Sequence, residues 1–400
     1  MEPPVLDRSP LHHARFVQPR LPAFWLYTLL VALTGIVAVG EQNLFRELSP
    51  AGWALSWALV ALYAAPVAVV VYVLDLYERE PVPLLVASFV WGAVAATTLA
   101  AIGNAGWALV VARIGGPEFA ARWSAALTAP FVEETLKGVG VVLIALIARD
   151  EFDDRMDGFV YGALCGLGFA VVEDVFYFMA VFGGDVDGVL QGFFVRVIAS
   201  GLYSHVLYTG LVGMAVGVVL GRRDPRPPVG RVLAATPLVV VAVLGHFLWN
   251  SPILELFPEH PWEGIEWLQI LVATAVKGLP FLLFLVIVVR LAHGRERRWL
   301  ETALASEVGG DGVTREELYV LRSIRRRRGA RRDLAMRAGD RAARLLGRLQ
   351  REQVNLAMIR SRVAADDDPA LVRQRALCRS IRDALAAIPG AEAATGPGLG

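Results

Sequence analysis

Eight stretches of this chain are long and apolar enough to cross a bilayer, and that constrains the fold more than any other feature. A helix of about 20 mostly apolar residues spans the ~30 Å hydrocarbon core. The runs lie near 23–40, 53–74, 84–112, 125–148, 158–182, 192–220, 232–250 and 268–290. With 56% apolar residues in 400, a soluble globule is excluded. Lipid offers no partners to backbone N–H and C=O groups, so the expected class is all-α: a polytopic membrane protein of about eight transmembrane helices with a helical cytosolic C-terminal tail.

Arginine placement sets the expected orientation. Arg8, Arg15 and Arg20 precede the first run, Arg149 and Arg155 follow the fourth, and Arg222, Arg223, Arg226 and Arg231 follow the sixth. The turn after the seventh holds Glu255, Glu259, Glu263 and Glu266 and no Arg. The positive-inside rule then puts both termini in the cytoplasm, which needs an even number of crossings. Four segments are expected: an unstructured leader over 1–22, the membrane domain over 23–290, an Arg-rich amphipathic helical tail over 291–388, and an unstructured end over 389–400. From Leu291 to the end the sequence carries 22 Arg against 14 Asp and Glu. Thr314 with Glu317 forms a capping box that opens one of its helices. The Arg325–Arg328 cluster reads as a solvated segment facing anionic lipid, with no nucleic acid expected. Two cysteines, Cys165 and Cys378, cannot build a disulfide framework.

Ionisable residues inside the spans are costly and therefore candidates for function. Glu133, Glu134 and Lys137 lie in the fourth run, Glu173 and Asp174 in the fifth, His205 in the sixth, and His246 with Asn250 in the seventh. At 1.5 Å per residue, Glu133, Glu173 and His205 fall roughly 12–18 Å below the outer face, so they can share one layer. Glu133 and Lys137 stand at i and i+4, and Glu134 reaches the same lysine at i+3. The ammonium can neutralise one carboxylate and leave the other as a general base. Pro130 suggests a helix that breaks or restarts just before the carboxylates. His246 and Asn250, again at i and i+4, can donate hydrogen bonds to an oxyanion.

Plainer explanations exist for each feature. Glu-Glu-x-x-Lys is an ion-pair pattern on soluble helices, and a lone intramembrane His often serves packing. Lys277 is read either as the partner of a structural carboxylate or as part of the site. Asp75, Glu78, Arg79 and Glu80 read as solvated charges in a turn, and Trp249, Trp262 and Trp267 as an interfacial belt.

The chain has no His-Glu-x-x-His, Gly-x-Gly-Asp or Gly-x-Ser-x-Gly, which removes three other hydrolase classes. Glu133-Glu134-x-x-Lys137, Phe169-x-x-x-Glu173, His205 and His246-x-x-x-Asn250 together resemble the motifs of the PrsW family of glutamic-type intramembrane proteases, relatives of the CAAX prenyl endopeptidases and Abi-type membrane proteins. Asp174 stands where that family often has Asn. The resemblance covers roughly residues 75–250 and leaves the tail unaccounted for. It implies a multi-pass bacterial cell-membrane endopeptidase that cuts membrane-anchored proteins, anti-sigma factors among them.

The expected activity is peptide-bond hydrolysis by glutamate-activated water. Glu133 or Glu134 is the base, Lys137 sets the charge of the pair, Glu173 and His205 position or polarise water and carbonyl, and His246 with Asn250 stabilises the oxyanion. No cofactor is required, although Glu134, Glu173, His205 and His246 form an acceptable zinc set. Two other readings stand beside it: a divalent-metal or proton transporter using the same cluster, and a receptor or scaffold acting through its basic tail.

Overall fold

The computed structural model describes residues 15–77, 79–199, 205–253 and 266–391. The start of the leader, Glu78, the acidic turn with Glu255, Glu259 and Glu263, Trp262, and the last residues of the expected unstructured end lie outside them. The described residues form helices and a single isolated bridge between Val308 and Val313.

In chain order the helices are α1 (Pro22–Leu48), α2 (Pro50–Leu74), α3 (Val82–Gly115), α4 (Pro117–Ile147), α5 (Arg155–Val181), α6 (Val186–Phe193), α7 (His205–Leu220), α8 (Pro228–Asn250), α9 (Glu266–Leu304), α10 (Arg315–Leu321), α11 (Ile324–Arg362) and α12 (Pro369–Ala386). Proline opens six of them in the first turn, where its missing N–H costs nothing. Among the described residues six helices are long and apolar enough to span a membrane: α1, α2, α3, α5, α8 and, from Thr274 on, α9. Of the two remaining runs, one is α4, whose 31 residues carry Glu133, Glu134 and Lys137 near the middle. The other corresponds to α7, 16 residues long, preceded by a π-type turn over Phe194–Ala199.

The chain divides into two compact units. Of the described residues, one holds those within 15–75 and 79–289, the other 76–77 and 290–391.

In the first unit α5 is the central element, buried along nearly its whole length. Glycines set its distance from its neighbours. A Cβ placed on Gly158, Gly162 or Gly166 would stand 2.1–2.3 Å from the backbone oxygens of Gly213, Thr209 and His205 on α7. Where lipid supplies no hydrophobic drive between helices, such close backbone contact provides the packing energy. On the opposite side the Ser88 hydroxyl of α3 donates to the Tyr161 carbonyl at 2.6 Å. α3 passes through a π-type turn over Trp91–Ala96, and the Trp91 indole N–H donates to the Leu136 carbonyl of α4 at 2.9 Å.

Two expectations are corrected here. α4 runs unbroken from Pro117 to Ile147 through Pro130, so no new helix N-terminus faces the carboxylates. The ring replaces one N–H, and the tightly packed surroundings of Ala126 and Ala129 hold the helix together. Asp75 and Glu80 are buried rather than solvated, because the Tyr161 hydroxyl donates to Glu80, and the Glu80 N–H donates to Asp75 Oδ2 at 3.3 Å.

In the second unit a cluster around Leu300, Leu321, Leu356, Leu371 and Ile381 forms the core. The capping box at Thr314 and Glu317 is present as expected, and Arg382 pairs with both Glu317 oxygens at 2.8 and 2.7 Å. Arg325, Arg326 and Arg328 are exposed, but Arg327 is not. It donates to the Leu321 carbonyl at 2.8 Å and lies over the Tyr77 ring, and burial pulls its guanidinium down to about 10.

Replacing Gly162 by Val is expected to lower stability by ~1–3 kcal/mol or more, since the new side chain would have to push α5 off α7. Thermal unfolding of the detergent-solubilised protein checks this, and an unchanged melting temperature would contradict the seam described here.

Candidate active site

The close approach of α5 and α7, with α4 and α8 packed beside them, brings the intramembrane charges to one place. Ligand atoms of Glu133, Glu134, His205 and His246 all lie within 4.8 Å of one another, and all four residues are buried. At their centre is Lys137, with a relative exposure of 0%. Its ammonium donates to Glu134 Oε1 at 2.6 Å and to Glu133 Oε2 at 3.4 Å, as the i+3 and i+4 spacing requires. A third contact, at 2.8 Å, goes to His205 Nδ1. Phe169 covers the cation with its ring, whose centroid is 4.1 Å from Nζ. That contact gives the phenylalanine of the Phe-x-x-x-Glu pattern a physical role.

Tautomers follow from the partners. An ammonium only donates, so His205 Nδ1 accepts, and its Nε2–H donates to Glu173 Oε2 at 2.9 Å. His246 Nδ1 lies 3.1 Å from Glu134 Oε1 and donates to that carboxylate, which leaves the Nε2 lone pair facing Glu133 Oε2 at 3.8 Å.

The two glutamates of the pair differ in setting. Glu134 is enclosed, with the Thr209 hydroxyl donating to its second oxygen at 2.9 Å. Glu133 lines a cavity of about 350 Å3, and Asn104 Nδ2 donates to its Oε1 at 3.0 Å. Glu173, His205, His246 and Asn250 line the same cavity. So does Trp249, which therefore faces the site rather than forming only a belt; the side chain of Trp267 lies outside the described residues. Glu133, not Glu173, completes the four-group cluster, because Glu173 stands on the far side of the His205 ring.

Several partners were not among the expected site residues, although Arg196 is a charge inside the sixth apolar run. Arg196, in the π-type turn before α7, donates to Glu173 Oε2 and Asp174 Oδ1, both at 2.7 Å, and stacks on Tyr177. Tyr63 of α2 donates to Asp174 Oδ2 at 2.8 Å. The extra carboxylate at Asp174 is thus matched by a guanidinium and a phenol. Lys277 donates to the carbonyls of Trp249 and Ser251 at 3.2 and 2.7 Å, where it caps the end of α8.

The donor set also fits a divalent metal. Each imidazole turns a lone pair inward while a carboxylate holds its other nitrogen, which is the usual arrangement around histidine ligands. Lys137 already bonds Glu133, Glu134 and His205, so an ion and the ammonium compete for the same lone pairs.

Lipid-crossing helices that enclose a cluster of acids, imidazoles and an ammonium beside a cavity define a membrane-embedded enzyme. A family model described as PrsW family intramembrane metalloprotease matches residues 80–290. The chain is 31% identical over 175 residues to Protease PrsW of Bacillus subtilis (strain 168), covering 44% of this chain and 72% of that protein. It is 32% identical over 109 residues to Protease PrsW of Geobacillus kaustophilus (strain HTA426), covering 27% and 45%. No solved structure matches. The chain belongs to the PrsW family and is a multi-pass intramembrane protease.

Arg196→Met would leave Glu173 and Asp174 without their shared cation. A stability loss of ~2 kcal/mol is expected, below the ~3–5 kcal/mol of a fully buried pair because the Arg196 side chain keeps 24% exposure. Arg196→Lys should recover part of it. Thermal melts of the two variants test the pairing.

Proposed function

We propose that this protein hydrolyses peptide bonds in single-pass, membrane-anchored protein substrates, with Glu133 as the general base. The observation that carries this reading is the contrast within the pair: Glu133 faces the cavity, while Glu134 is enclosed and fully hydrogen-bonded. In the proposed reaction a water molecule gives one proton to Glu133 as its oxygen bonds to the scissile carbonyl carbon. His246 Nε2, an acceptor in the tautomer above, holds the water's other proton. Glu133 then returns its proton to the departing nitrogen as the C–N bond breaks. Lys137 balances the charge of the two carboxylates, and Glu173 keeps His205 turned toward the lysine.

A divalent ion, if bound, would be held by Glu133, Glu134, His205 and His246 and would supply Lewis-acid polarisation of water and carbonyl. The ammonium contacts favour a glutamate-driven reaction without it. Membership of a protease family disfavours the transporter and scaffold readings. The positive-inside pattern supports cytoplasmic termini, and the exposed Arg325, Arg326 and Arg328 support contact with anionic lipid.

The test uses the purified full-length protein and a cleavable transmembrane peptide. Glu133→Gln is expected to reduce kcat by ~10²-fold or more, the scale of general-base loss. Turnover should persist in a strong chelator. Cleavage that survives Glu133→Gln overturns the assignment of the base, and cleavage lost in chelator and restored by zinc overturns the metal-free form of the reaction.

A further inference from the structure

The proposed reaction leaves one requirement unmet by the motif residues. Negative charge develops on the scissile carbonyl oxygen, and in a low-dielectric site it needs a donor already in place. His246 is poorly suited to that role, because its one N–H is directed at Glu134 and its other nitrogen presents a lone pair.

Tyr208 lies beside it. The Tyr208 ring stacks on His246 with centroids 5.2 Å apart and planes 9° from parallel. On another edge it meets Gly245, where an added Cβ would stand 2.7 Å from Tyr208 Cε1. Ring and hydroxyl are therefore held in place by packing rather than by a polar partner. Tyr208 is 1% exposed and lines the same cavity as Glu133, His205 and Asn250. Its hydroxyl finds no hydrogen-bond partner among the described residues. A buried phenol normally has one, and leaving such a donor unsatisfied is costly.

From this juxtaposition we infer that Tyr208 is a further catalytic residue: its hydroxyl donates a hydrogen bond to the scissile carbonyl oxygen and holds it as the tetrahedral oxyanion forms, together with the Asn250 amide. The inference rests on the hydrolytic reading above. No proton leaves the phenol. Electrons of the carbonyl π bond move onto the oxygen as water adds, and return when the C–N bond breaks, with the hydrogen bond maintained throughout. Only a hydroxyl without an internal partner is free to turn toward substrate in this way.

The experiment compares wild type, Tyr208→Phe and Glu133→Gln in the full-length protein with the same transmembrane peptide, recording kcat, KM and melting temperature. Tyr208→Phe removes one oxygen and no internal hydrogen bond. It is expected to lower kcat by ~10²-fold, within the range for a lost oxyanion donor, with KM within about threefold and the melting temperature unchanged or raised. A kcat equal to wild type overturns the inference. So does a lowered melting temperature that accounts for the loss, which would make the hydroxyl structural. Glu133→Gln separates the two levels. If it is inactive while Tyr208→Phe is fully active, hydrolysis by Glu133 stands and the role of Tyr208 falls; if it remains active, the underlying reading falls first.

Discussion

The site depends on a single ammonium ion buried where lipid would otherwise be. A lysine fully removed from solvent carries a desolvation cost of several kcal/mol unless charge and hydrogen bonds compensate. Lys137 obtains both from Glu134, Glu133 and His205, with the Phe169 ring closing the remaining side. The same contacts make the two carboxylates tolerable side by side. Each charge therefore needs the others, and the cluster is stable only when α4, α5, α7 and α8 are all in position.

A second layer holds the first. Arg196 joins Glu173 to Asp174, Tyr63 completes Asp174, Thr209 completes Glu134, and Asn104 completes one oxygen of Glu133. These partners come from α2, α3, the turn before α7, and α7 itself. Groups that orient a reacting side chain from outside are part of how a site keeps its geometry. They explain how a cluster rich in opposite charges retains hydrogen bonds on almost every oxygen.

Much of this could be read from residue order alone, and the reasons are specific. Spacing of i+3 and i+4 is a property of one helix, so the contacts of Lys137 with both glutamates were legible. Charge inside apolar runs is rare enough to mark Glu173, His205 and His246. Arg196 carries the same mark, since it lies in the run at 192–220, but it stands near the end of that run, where an arginine passes for an interfacial charge. Tyr63, Asn104 and Thr209 are ordinary membrane residues whose value comes only from a neighbouring helix. Pro130 misled for the opposite reason: its local preference for ending a helix was overridden by tertiary packing. Glu80 looked like a solvated turn residue until Tyr161, 81 positions away, supplied its partner.

The glycine seam between α5 and α7 has one more implication. The His205 carbonyl rests against Gly166, while the imidazole of that residue reaches Lys137 and Glu173. One residue is thus both mortar and reagent. Widening this joint to gain mobility would carry the imidazole away from both of its partners.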